Sequence, residues 1–177
     1  MKTTRLFSIL SIALIFGCAS TSDIVSEFDD TAKFDTYTTF VLCQDDLFVE
    51  NVSYPKYDNN TVRELVGEAV QTEMMKRGHK TNVMNPELQA GFQIVVQEKE
   101  ATFTNCEHQD EYAYWDECTI DTIVYTEETL VLYVSDFEKR QIIWQASMDC
   151  DMNKPESKLT AYINELVSEL FNKYPKS

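Results

Sequence analysis

The densest run of chemically capable side chains lies between Asn105 and Asp121. Glu107, His108, Asp110, Glu111, Asp116, Glu117 and Asp121 bring carboxylates and one imidazole into a short stretch. That is the kind of donor set a divalent cation takes. His108, Asp110 and Asp116 are the candidate ligands, yet no EF-hand spacing or other ordered pattern organises them, so a solvated acidic loop is the plainer reading. Tyr112, Tyr114 and Trp115 stand in the same stretch. Amphipathic aromatics on a pinned loop can form a recognition surface for a protein partner, and their blander role is to cap the end of a sheet. Elsewhere the chemistry thins out. Gly67, Gly78 and Gly91 are too far apart for a phosphate-cradling loop or a dinucleotide fingerprint. Neither His79 nor His108 belongs to a G-x-S-x-G or H-E-x-x-H motif, and His79, just past a helix end, reads as a solvated terminus. With no nucleophile–base constellation, the sequence predicts no catalytic residue, no cofactor and no enzyme.

The five cysteines divide by context. Cys43, Cys106, Cys118 and Cys150 make an even set without C-x-x-C spacing, which disfavours zinc and thiol-redox motifs and favours two disulfides in an oxidising compartment. Cys18 is different. It follows Lys2 and Arg5, an apolar run from Leu6 to Phe16, and Gly17. A spanning helix needs ~20 apolar residues, about twice this run, so residues 1–17 read as a signal peptide. Ile15-Phe16-Gly17-Cys18 resembles a lipobox, where cleavage before the cysteine leaves a thiol that takes a diacylglycerol, although Phe16 is bulkier than the usual small residue. Ala19 is not the aspartate associated with inner-membrane retention, so the outer membrane is the expected address, in either leaflet.

Charge narrows the partners. The chain carries a net −15, and loss of Lys2 and Arg5 with the signal peptide takes this to −17. Nucleic acid is excluded as a partner, and an anionic lipid surface would repel the domain, so attachment must come from acyl chains. Basic proteins or cations fit better.

Those residues need a scaffold, and the patterning supplies one. Residues 18–30 read as a lipidated tether with room for a short strand, and 31–177 as one globular domain. Phe34 to Leu42 is rich in β-branched and aromatic residues and predicts a strand. From Thr61, apolar residues recur at helical spacing; Thr61 and Glu64 can form a capping box, and Gly78 ends the helix. Phe92, Ile94 and Val96 alternate along a second strand that can reach Thr104. Thr119 to Asp136 is a third, Phe137 to Arg140 a hairpin connection, and Gln141 to Asp149 a fourth. Pro155-Glu156-Ser157 opens a helix with Leu159, Ile163, Leu166 and Leu170 inward. The prediction is an α+β fold: a mixed, largely antiparallel sheet of about four to five strands with two amphipathic helices packed on one face. A helical crossover makes the first two strands parallel, and two hairpins then reverse the third and restore the fourth. All four thiols would gather at one sheet end, with Cys106–Cys118 clamping the long loop and Cys43–Cys150 tying first strand to last. Four cysteines still allow three pairings.

Ala32 to Phe40 resembles the opening strand of the bacterial lipoprotein family catalogued as domain of unknown function 4136. The helix end Met75-Lys76-Arg77-Gly78-His79, the strand after Pro86-Glu87-Leu88, and Glu128 to Leu132 leading to Ile143-Trp144-Gln145-Ala146 fall in that family's order. The resemblance implies a mixed α/β domain of an envelope lipoprotein and transfers no catalytic residues. Glu128 lacks the usual following glycine, and Asn105–Glu117 looks like a local elaboration. The expected role is a non-catalytic protein- or peptide-binding domain held to the membrane by its lipid; the alternative is a small-ligand or divalent-cation binder using loop 105–121.

Overall fold

A computed structural model describes residues 23–49, 52–107 and 117–175. Six strands form one sheet in the order β1-β6-β5-β4-β2-β3. They are β1 (Val25–Phe28), β2 (Thr39–Leu42), β3 (Lys80–Thr81), β4 (Leu88–Glu107), β5 (Glu117–Asp136) and β6 (Gln141–Cys150), with helices α1 (Asn60–Lys76) and α2 (Glu156–Phe171). The predicted α+β class and strand directions hold: β2 runs parallel to β4, and β4, β5 and β6 follow antiparallel.

The sheet has six strands because the tether supplies the short strand it left room for and a two-residue strand escaped the pattern. β1 pairs antiparallel with β6 from inside the predicted tether, so the folded domain begins before residue 31. β3 is only two residues long, too short to show a period, and lies parallel to β2. The predicted strand over 34–42 is also shorter. Phe34–Thr36 forms a 3-10 turn that buries Phe34, and pairing begins only at Thr39.

Alternation explains the core. Even-numbered positions of β4 and β5, Leu88, Ala90, Phe92, Ile94, Leu130, Leu132 and Val134, are buried and share one face. α1 brings Val62, Val66, Val70 and Met74 into the same cluster, and α2 brings Ile163, Val167 and Leu170. Trp144 of β6, fully buried, packs 5.1 Å from the rings of both Phe171 and Tyr174. Asn59 caps α1 by accepting the Val62 N–H at 3.1 Å, in place of the predicted Thr61–Glu64 box. Asn is among the best residues for that task. Gly78, at φ +91°, ends the helix as predicted.

The thiols do not gather at one end. Cys43 donates its N–H to the Ala90 carbonyl at 2.8 Å, whereas Cys150 lies opposite Glu128, itself opposite Val96. β4 and β5 stand between them, a lateral gap of ~14 Å at ~4.8 Å per strand. A disulfide tolerates a Cα separation of only ~4.4–6.8 Å. The expected Cys43–Cys150 bridge is therefore replaced by two free thiols. Cys106 and Cys118 are apart from both because β4 and β5 are long and carry them far beyond the end of β6.

Candidate functional site

β4 and β5 pair over 20 residues each, but β6 leaves β5 at the Cys150–Glu128 row and β2 leaves β4 at Ala90. From the Gln97–Glu127 row to the Glu107–Glu117 row the two strands run on as a ribbon about 35 Å long at ~3.3 Å per residue. Phe103, Ile120, Ile123 and Val124 are each half or more exposed there. An isolated two-stranded ribbon is marginally stable in water, and it presents two rows of unpaired backbone groups.

The register fixes which groups those are. Phe137 N–H donates to the Glu87 carbonyl at 2.9 Å, one row beyond the Leu88–Asp136 pair. Hydrogen-bonded and non-hydrogen-bonded rows alternate in an antiparallel pair, so odd rows of β4 are bonded to β5 and even rows point outward. Phe92 N–H agrees, being turned out to the Asp46 carboxylate at 2.9 Å. On β5 the outward groups are those of Thr126, Val124, Thr122 and Ile120. The Cys106–Cys118 row is even too, hence non-hydrogen-bonded, with a Cα separation of ~4.5 Å.

At the other end of the sheet, Thr36, Tyr37, Glu87, Asp136, Phe137 and Arg140 help to line an open groove of about 920 Å³. Its carboxylates are already engaged. Glu87 accepts the Thr38 and Thr39 N–H groups at 2.7 and 2.8 Å, and these bonds hold its pKa down to about 2. Asp136 accepts the Tyr37 hydroxyl at 2.8 Å and pairs with Lys139 Nζ at 2.9 Å; the contacts with Lys139 outweigh burial and leave its pKa at about 2. Carboxylates so anchored fix the turns and are poor bases at neutral pH.

Inside, Asp46 Oδ2 takes the Tyr133 hydroxyl at 2.7 Å beside its bond to Phe92. Arg63 Nη1 donates to the Asp46 carbonyl at 2.6 Å while Nε and Nη2 grip Asp58 at 2.5 and 2.8 Å. Glu128 accepts the Met152 N–H at 2.7 Å, and burial pushes its pKa up. Burial also pushes the Cys150 thiol up to about 12, which keeps it protonated and unreactive. His79 is not the solvated terminus that its position suggested. It is 5% exposed, and its Nε2 lies 3.4 Å from the Tyr174 hydroxyl. Burial pushes its pKa below the usual imidazole range.

The candidate ligands His108, Asp110 and Asp116, the aromatics Tyr112, Tyr114 and Trp115, and the lipidation candidate Cys18 lie outside the described residues. Among the described residues no three His, Cys, Asp or Glu side chains are placed to hold a metal ion, and no helix is long and apolar enough to cross a membrane. The site that sequence reading missed is the ribbon edge. Its signal was partial: Phe92 to Thr104 and Thr119 to Asp136 read as strands longer than β6, only 10 residues long, can cover.

Two solved structures share the fold. A PDZ domain protein from Parabacteroides distasonis superposes with a TM-score of 0.54 at 10% identity over 88% of this chain, which spans 36% of that protein. A DUF4136 family protein from Bacteroides thetaiotaomicron gives 0.53 at 14% identity, over 88% of this chain and 96% of that one. No curated protein matches the sequence. The model for DUF4136, a domain of unknown function, matches residues 24–176, and the chain belongs to that family.

Proposed function

We propose that this is an envelope lipoprotein, anchored through Cys18 to the outer membrane, whose domain binds another protein without catalysis and uses the β4–β5 ribbon as its contact. The carrying observation is the ribbon itself: two strands that outrun every neighbour, with open backbone edges and apolar side chains in solvent. Exposed edges of that kind are templates for strand addition, and the carboxylates along this one guard it against indiscriminate pairing while leaving it open to a complementary strand. The carboxylates of the opposite groove are occupied with holding turns and the Cys150 thiol stays protonated, which supports a binding role over chemistry. Cys106 and Cys118, opposite each other near the tip, would staple the ribbon in its paired state.

The test is to shorten the ribbon. Joining Gln97 to Glu127 through Asn-Gly closes a hydrogen-bonded row with a turn that suits it, leaving the rest of the sheet intact. Crosslinking in membranes followed by mass spectrometry should recover partners with the parent chain and lose them with the shortened one. Recovery of the same partners at the same yield would refute the ribbon as the contact.

A further inference from the structure

On that reading of the ribbon as a docking element, the chemistry of its partner can be narrowed. We infer that the β5 edge takes an extended lysine- or arginine-rich segment of another protein as an added antiparallel strand, lying where β6 leaves β5 at Cys150.

Three observations converge on this. The outward N–H and C=O groups of Thr126, Val124, Thr122 and Ile120 continue the row that β6 uses up to Glu128, so the slot is collinear with an existing strand. The β4 edge is the poorer slot, because Tyr54 lies at its base, close enough to Glu98 to feel its charge. Second, the flanking side chains alternate, with Val124 and Ile120 on one face and Ile123 and Tyr125 on the other, so an added strand finds apolar neighbours on both sides.

Charge selects the occupant. The ribbon's two strands, 97–107 and 117–127, hold six carboxylates and one lysine, a net −5, a third of the whole chain's −15. The one cation, Lys99, is already paired to Glu127. A second copy of this chain would bring an equally negative ribbon against the first, and like charges across a strand pair are destabilising. A cationic strand gains Coulomb attraction and hydrogen bonds together, and long-range steering speeds its arrival.

The full chain, purified in detergent, can be titrated with three peptides. One repeats Lys-Val-Lys-Thr, one replaces each Lys by Glu, and one is the Lys peptide with every backbone nitrogen methylated, so that neither edge keeps its donors. The Lys peptide should bind at least about tenfold more tightly than the Glu peptide, weaken as salt rises from about 0.05 to about 0.5 M, and slow amide exchange at Ile120, Thr122 and Val124. The methylated peptide should bind at least about tenfold more weakly, since it keeps the charge and loses the donors of both edges. Methylated and parent peptides of equal affinity would mean charge attraction alone and overturn strand addition. Equal affinity for Lys and Glu peptides, or a concentration-dependent dimer protecting the same amides, would overturn the cationic partner. If shortening the ribbon abolishes crosslinked partners while these titrations fail, only the partner chemistry falls; if shortening changes nothing, the docking role falls with it.

Discussion

Arg63 shows how a single side chain holds the fold in place around the ribbon's base. It is 1% exposed in α1 and binds both the Asp58 carboxylate and the Asp46 carbonyl, tying the two turns before the helix to the helix itself. Removing one member of such a pair strands a buried charge, at a cost of about 3–5 kcal/mol. Asp58→Ala should therefore lower the urea midpoint sharply, and Asp58→Ala with Arg63→Met should regain much of the loss; equal midpoints for wild type and Asp58→Ala would dismiss the argument. Gly91 is a second constrained position. A Cβ there would meet Asp46 Oδ2 and the Tyr133 ring at 2.3 Å, so Gly91→Ala must displace both and should destabilise by roughly 1–3 kcal/mol in the same assay. His79 governs a pH response. Because its folded pKa is depressed, the unfolded chain binds the extra proton, and stability is lost as pH falls from the ordinary imidazole value of ~6.5 toward the lower folded one. Between pH values of about 7.5 and 5.5 the Tm of wild type should fall more than that of His79→Gln, and parallel curves would remove His79 from the account. Sequence gave no warning of this burial, because Tyr174, which packs against His79 and helps cover it, lies 95 residues away.

Elements were legible where a period was long enough to read. α1, α2 and the hairpin at Phe137–Arg140 stand where their patterns put them, and the strand directions followed from connection lengths alone. Short elements were harder: β3 has no period and was missed, and β1 was allowed for within the tether but is fixed only by its pairing with β6. The candidate site was legible as a pair of cysteines bracketing an acidic aromatic stretch, whereas the projecting edge depended on how far neighbouring strands reach, a tertiary quantity. The placement of the cysteines makes the ribbon testable as an element. A non-hydrogen-bonded row brings Cα atoms to ~4.5 Å, within disulfide range, so Cys106 and Cys118 can pass two electrons to a disulfide-bearing oxidant and release two protons as their bond forms. The exported chain, denatured without reductant and with Cys18 acylated, should then titrate two thiols, those of Cys43 and Cys150, and peptide mapping should join 106 to 118. A bridge closing a loop of that size is worth ~3 kcal/mol, so Cys106→Ser with Cys118→Ser should lower stability by about that amount. Four titratable thiols in the exported chain would end the idea.

For the whole molecule, charge and anchorage are two halves of one argument. A domain at −17, its charge on the proposed signal removal, would be repelled by anionic lipid headgroups, and the two strands of its ribbon carry six carboxylates and one lysine. Such a domain has no electrostatic means of staying on a membrane, and among its described residues no helix can span one. On the proposed anchorage the lipid on Cys18 does the holding, and more than one acyl chain is needed for a firm hold. The same repulsion would keep the ribbon off the bilayer, turned toward the aqueous phase where a basic partner can reach it. Cys18→Ser should accordingly abolish labelling by radioactive palmitate and move the chain wholly from the membrane pellet to the soluble fraction. Because no attractive surface charge remains to be screened, that release should be as complete in dilute buffer as at about 1 M salt, where the Debye length is ~3 Å. A Cys18→Ser chain that stays in the pellet at low salt and leaves it at high salt would reveal a basic contact to the membrane or to a bound protein. One that pellets at every salt concentration would show that something other than the lipid is the anchor.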